Sequence, residues 1–272
     1  MKAFRNRIAP MVAAAMALAP LAAGAGTVTM SVTYYTIAET DQDMDHVAHG
    51  IFTNEVQSRL GPDGLPVLNT AAYGCLSGCF TNTPLPADVT ASGEITWWSP
   101  SLNKGGSGGV SDVVQTGTAV ITLPFNNPNF YPPNGTGPND VSGFQAAVFS
   151  TTLSVPSAES ITFNVGSDDA AFVYLDGSVV CQLGGVHGDS PGSCTSGTLT
   201  AGSHTLKVFY SDLEQAGAGL TFGITTAGIS GAPAPTTPTT PVPPSILLTV
   251  AGLACIGLFF GYRGLRRPHR NA

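Results

Sequence analysis

Two adjacent carboxylates, Asp168 and Asp169, stand near a loop of glycines and one histidine, Gly184, Gly185, His187 and Gly188, within the stretch FNVGSDDAAFVYLDGSVVCQLGGVHG that covers residues 163–188. Neighbouring carboxylates repel one another unless a cation or a proton lies between them, and glycines let backbone carbonyls approach closely. Oxygen donors beside a flexible loop suit calcium. The competing reading is that each carboxylate accepts backbone N–H bonds around Gly166 and Ala170 and caps a turn.

Other residue sets fit chemistry less well. Asp41-Gln42-Asp43-Met44-Asp45 alternates as a calcium loop does at its start. His46 stands where such a loop needs Gly and Phe52 where it needs Glu, which excludes an EF-hand and leaves a solvated acidic loop. His46 and His49 lack a further Cys or His at a fixed spacing. Cys255 lies in an apolar C-terminal run, which leaves Cys75, Cys79, Cys181 and Cys194. Closeness in sequence across Gly-rich turns favours Cys75 with Cys79 and Cys181 with Cys194. Trp97 and Trp98 are neighbours, so a strand would turn one ring inward and leave the other free to stack on a sugar. No Gly-x-Ser-x-Gly elbow, phosphate loop, dinucleotide fingerprint or HExxH is present. A glycosidase holds its two carboxyl groups roughly 5 Å or more apart across a cleft, which sequence neighbours rarely achieve. The chain therefore reads as no enzyme.

The elements that must position these groups are strands. Alternation through Phe163 and Val165 breaks at Gly166-Ser167-Asp168-Asp169 and resumes as the β-rich run Ala171–Leu175. Asp176-Gly177 then accepts the positive φ angles of a tight hairpin before a return through Val179, Val180 and Cys181. Further β-like runs are Val28–Ile37, Glu94–Trp98, Ala119–Leu123, Ala146–Val155, Thr205–Tyr210 and Leu220–Ile224, and Asn54–Leu60 is the one candidate for a short helix. With 33 Gly, 21 Pro and only 10% charged residues, the pattern predicts an all-β, antiparallel β-sandwich.

Charge is unevenly placed. Arg59, Lys104 and Lys207 are the only bases between the two ends, against all 17 carboxylates, so the middle carries about −14 while the whole chain carries −7. Phosphate backbones would be repelled, which argues against nucleic acid. Divalent cations and neutral sugars remain suitable partners.

The two ends read as addresses. Residues 1–25 combine a basic start, an apolar run and small residues before Gly26, the pattern of a cleavable signal peptide. Residues 231–245 form a Pro/Thr-rich linker, residues 246–262 an apolar run suited to a transmembrane helix, and residues 263–272 a basic tail that belongs in the cytoplasm. The domain between them is residues 26–230.

Several motifs resemble the fibro-slime domain, a branch of the protective-antigen-type β-sandwich superfamily found in surface and matrix proteins. Leu60-Gly61-Pro62-Asp63-Gly64-Leu65-Pro66-Val67, Asn129-Phe130-Tyr131-Pro132, Ser167-Asp168-Asp169 with Phe172–Gly177, Leu183–Gly188, and Leu199–Leu206 carry the resemblance. It implies a jelly-roll-like sandwich and, as in sugar-binding members, an aspartate pair often joined by a cis peptide that holds calcium against sugar hydroxyls. On this chain the implied ligands are Asp168 and Asp169, with Gly184 to Asp189 supplying further oxygens. Ser167 replaces the family's third aspartate, and Ser211-Asp212-Leu213-Glu214 replaces its basic or histidine segment, so Asp212 or Glu214 could add ligands.

The C-terminal end resembles a PEP-CTERM sorting segment, on Val242-Pro243-Pro244-Ser245, the apolar run and the Arg263 to Arg270 basic end. The two prolines are adjacent where that family places Glu between them, which leaves a plain membrane anchor as the alternative to processing by sorting machinery. The expectation is an exported protein on the outer face of a bacterial membrane, anchored or released. It would bind carbohydrate or matrix polymer with the help of calcium; the alternative is a structural envelope or matrix component without a ligand pocket, and a polysaccharide-acting glycosidase accessory is the third.

Overall fold

The structure, a computed structural model, describes residues 26–41, 43–44, 50–69, 88–215 and 217–233. The expected signal peptide, transmembrane run and basic tail, together with His46, His49, Cys75, Cys79 and Cys255, lie outside the described residues.

Alternation in TMSVTYYTI makes Thr29–Ile37 a strand, β1, with Met30, Val32 and Tyr34 buried on one side. It lies between β4 (Val113–Thr122) and β6 (Phe144–Val155), antiparallel to both. The remaining strands are β2 (Val56–Leu60), β3 (Pro66–Leu68), β5 (Phe125–Asn127), β7 (Thr162–Asp168), β8 (Ala170–Leu175), β9 (Ser178–Leu183), β10 (Gly192–Thr195), β11 (Gly202–Ser211), β12 (Gly219–Ile224) and β13 (Ser230–Ala232). The broad sheet runs β3-β2-β9-β8-β11-β6-β1-β4, with β13 also on β6, and the small sheet runs β10-β7-β12-β5. Asp176 and Gly177 take φ of 50° and 71°, the tight hairpin expected between β8 and β9. Strand β13 extends into residues that the sequence assigned to the linker.

Two hydrophobic layers flank the broad sheet. One lies between the sheets, where Phe163, Val165, Leu220 and Phe222 of the small sheet meet Val32, Phe149, Val173, Leu206, Val208 and Tyr210. The other lies on the opposite face, where Phe144, Phe172, Tyr174 and Phe209 are covered by Met44, Leu65, Leu68, Ile95, Trp97 and Trp98. Covering on both faces explains why all six residues of β8 are buried.

This second layer overturns several expectations. Residues 56–60 form a strand and not a helix, because Gly61-Pro62-Asp63-Gly64 turns the chain back to pair Leu60 with Pro66. A helix of two turns would have little stability of its own against that pairing. Glu94–Trp98 is a series of turns and isolated bridges, so strand alternation does not govern its two indoles. Both are buried: Trp98 donates its indole N–H to the Tyr210 carbonyl at 2.7 Å and meets Phe209 edge-on at 5.1 Å. Neither ring is free to stack on a sugar. Asp41 and Asp43, read as part of a solvated loop, are 3% and 1% exposed, because they belong to the lid over this face.

Candidate functional site at the acidic corner

Asp168 and Asp169 sit where the chain changes sheets. Asp168 is the last residue of β7, opposite Gly219 in the small sheet, and Ala170 is the first of β8, opposite Ser211 in the broad one. The peptide bond between the two aspartates is cis. Asp169 is buried, its Oδ1 accepting the His187 amide and its Oδ2 the Leu213 amide, both at 2.8 Å. Burial pushes its carboxyl up to about 7, and the two amides oppose the rise. The Tyr210 hydroxyl donates to the Asp168 carbonyl at 2.6 Å. Asp169 thus accepts backbone amides as the capping reading had it, from partners remote in sequence in place of Gly166 and Ala170.

The glycine loop lies against this corner and is itself tied down. Gly184 and Phe52 exchange N–H···O bonds of 2.9 Å in both directions, and the Gly50 amide donates to Val186. Ser190 Oγ donates to the Gly188 carbonyl at 2.9 Å. The carbonyls of Gly184, Val186 and Gly188 are therefore engaged. The Glu55 carboxylate fills the space that a Cβ at position 184 would need, which accounts for glycine there. Cys181 and Cys194 are disulfide-bonded with Cα atoms 5.7 Å apart, as their spacing suggested, and the bond fastens β9 of the broad sheet to β10 of the small one.

Further carboxylates converge on the corner. Burial raises the Asp168 carboxyl, with Asp189, Asp140 and Glu214 adding to the rise and His187 opposing it. Asp212 is fully buried with both oxygens lacking a hydrogen-bond partner, and burial followed by the charge of Asp169 holds its carboxyl well above the usual range. The Tyr131 phenol is raised by burial and then by Asp140, Asp212 and Asp168. His187 Nε2 is buried without a partner. Asp189 is exposed, with Oδ1 only 2.8 Å from where a Cβ on Gly166 would stand. Beside it runs a groove of 460 Å³ lined by Asn164, Gly166, Pro191, Ser193 and Thr221.

Asp168, Asp169 and Asp189 do not bring three oxygens within 4.8 Å of one another; among the described residues only Asp41, Asp88 and Asp112 do so. Sequence reasoning missed Asp140. Its one signal was its place in the Pro- and Asn-rich connection between β5 and β6.

Residues 128–233 match the PA14 domain. The matched segment holds both aspartates, the glycine loop and β6 to β13. None of the curated proteins matches the chain. Among solved structures, the PA14 sugar-binding domain from an RTX adhesin is similar at 14% identity over 75% of this chain and 95% of that one, with a TM-score of 0.34. The Epithelial Adhesin 9 A domain from Candida glabrata, solved with Galb1-3GlcNAc, is similar at 10% identity over 76% of this chain and 89% of that one, with a TM-score of 0.36. A β-glucosidase from Kluyveromyces marxianus, solved with glucose, is similar at 15% identity and a TM-score of 0.26, over 31% of this chain and only 11% of that one.

Proposed function

We propose that this chain is an exported surface protein of the fibro-slime branch, whose PA14 segment binds carbohydrate non-catalytically through the acidic corner with the aid of calcium. The observation that carries the reading is the gathering of Asp140, Asp168, Asp169, Asp189, Asp212 and Glu214 at one corner, with no lysine or arginine contributing to the shifts of Asp168, Asp169 or Asp212. The donor set fits a hard cation: it is all oxygen, and the buried Asp212 oxygens are unpartnered. Asp168 and Asp169 would hold the ion, with Asp189 and the 184–188 loop beside it. The ion would supply a positive centre that neutral sugar hydroxyls can ligate. Asp169 spends one lone pair per oxygen on the His187 and Leu213 amides, which orients the carboxylate. The signal peptide and the anchor or PEP-CTERM-like sorting segment of the sequence reading complete the proposal.

A glycan array with and without calcium tests it. Binding is expected in calcium and lost in chelator and in Asp168→Ala; glycan binding that survives chelation overturns the reading.

A second reading, a self-assembling matrix component, is favoured by β4. This ten-residue strand ends the broad sheet, carries no charged residue and no proline, and exposes Val114 and Val120 at 59% and 65%. Long uncharged edges pair with other strands unless blocked. Concentration-dependent oligomers that vanish in Thr118→Lys would support it, and a monomer at all concentrations would end it.

A further inference from the structure

Asp41, Asp88 and Asp112 come from three separate segments, yet each brings one carboxylate oxygen into a set lying within 4.8 Å of one another. Asp41 follows β1, Asp88 belongs to the lid over the broad sheet, and Asp112 immediately precedes β4. Asp41 and Asp88 are 3% and 0% exposed, and Asp112 is half-buried. Like charges at such distances oppose folding unless something positive lies among them.

The partners of the individual oxygens narrow what that is. Asp41 Oδ1 accepts the Asp43 amide at 2.8 Å, and Asp88 Oδ1 accepts the Asn103 side-chain amide at 2.7 Å. Both bonds favour the ionised carboxylate. Asn103 cannot turn to offer a different group, because its Oδ1 accepts the Gly105 and Asp112 amides. The second oxygens, Asp41 Oδ2 and Asp88 Oδ2, are buried without any hydrogen-bond partner, as is Asp112 Oδ1. Gly105 keeps the approach open, since a Cβ there would collide with Asp88 Oδ1 and crowd both oxygens of Asp112.

Among the described residues, no lysine or arginine contributes to the shifts of the three. Burial is the first cause of the raised carboxyl of each: Asp41 rises to about 8 and Asp88 to about 6, with neighbouring aspartates adding to both, and Asp112 also rises. One proton could bridge Asp41 and Asp112, but it would leave Asp88 Oδ2 unpaired.

We propose that Asp41, Asp88 and Asp112 form a buried calcium site, separate from the acidic corner, that fastens the lid over the broad sheet to the β1 and β4 strands. Among the described residues the set is three carboxylates with no sulfur or imidazole, which selects a hard divalent cation over zinc or copper. The site is structural, and its loss would loosen the cover over Phe172 and Phe209 without touching the sugar-facing loop.

Calcium titration of the chelator-stripped protein tests this, read by thermal melting and by terbium luminescence excited through tryptophan. Trp97 donates to Asp43 Oδ2 at 3.2 Å, two residues from Asp41, which places a sensitiser beside the ion. At a hundredfold excess over its Kd, calcium is expected to raise Tm by about 5–10 °C. The rise and the luminescence should persist in the Asp168→Asn/Asp169→Asn double variant and vanish in Asp88→Asn. In chelator, Asp88→Asn should melt no lower than the parent, because it removes a repulsive charge. Asp112→Asn, at the half-buried position, gives the same reading if Asp88→Asn does not fold. The proposal is overturned if calcium leaves Tm unchanged in the double variant, or if terbium luminescence is indifferent to both Asp88→Asn and Asp112→Asn; a protonated cluster would give that result. Either outcome leaves the reading of the acidic corner to its own glycan test.

Discussion

Asp169 Oδ2 accepts the amide of Leu213, a residue 44 positions further along the chain, while its Oδ1 accepts the amide of His187. One buried side chain thus joins the sheet crossover, the glycine loop and the end of β11. Asp169→Ala would leave two amides unpaired, each worth about 1–3 kcal/mol, so a loss of roughly 2–6 kcal/mol is expected in urea denaturation. Asp168→Ala, whose side chain is half-buried, should cost less. Equal losses would mean that the Asp169 bonds are not what holds the corner.

Glu55 gives the fold a pH dependence. It is fully buried under Gly184, and burial pushes its carboxyl up to about 8 against the Gly185 amide. The unfolded chain ionises near 4.3, so between about 4.3 and 8 the folded state holds an extra proton. Its contribution is complete below about pH 4 and fades as pH climbs through 8. Glu55→Gln should therefore melt above the parent at pH 8.5 and show a flatter profile from pH 5 to 8.5. Superimposable profiles would remove Glu55 as the cause.

Trp98 tests the lid. Its ring packs between Phe172 and Phe209 at 6.3 and 5.1 Å and its N–H is satisfied by the Tyr210 carbonyl. Trp98→Ala should cost about 3–5 kcal/mol, measured by denaturation. Glycan binding at temperatures where the variant stays folded should be unchanged, since the indole is buried. Selective loss of binding from a folded variant would return Trp98 to the ligand surface.

Reduction of Cys181–Cys194 tests the cross-sheet fastening. The bond spans a sequence separation of 13, for which loop closure contributes about 3 kcal/mol. A reductant should lower the unfolding midpoint accordingly, and Cys181→Ser/Cys194→Ser should no longer respond to it.

The strands around the acidic corner were legible because alternation and turn chemistry are local. Thr29–Ile37, the Asp176-Gly177 hairpin and the Leu206, Val208, Tyr210 face all follow from residues close in sequence. The lid was not legible. Asp41, Trp97 and Trp98 are buried by contacts with residues far along the chain, and nothing local distinguishes a buried aspartate from a solvated one. The same limit hid Asp140 from the corner and the triad from view, since Asp41, Asp88 and Asp112 meet only after β1 and β4 pair.

With a hydrophobic cover on each side, the central strands of the broad sheet are closed to the surroundings. Encounters with other molecules must take place at the rim: the turns near the chain's crossover, the bare margin of β4, or the outward side of the four smaller strands. Such a molecule can change what it touches by redrawing its connecting turns, while the interior that keeps it upright stays as it is.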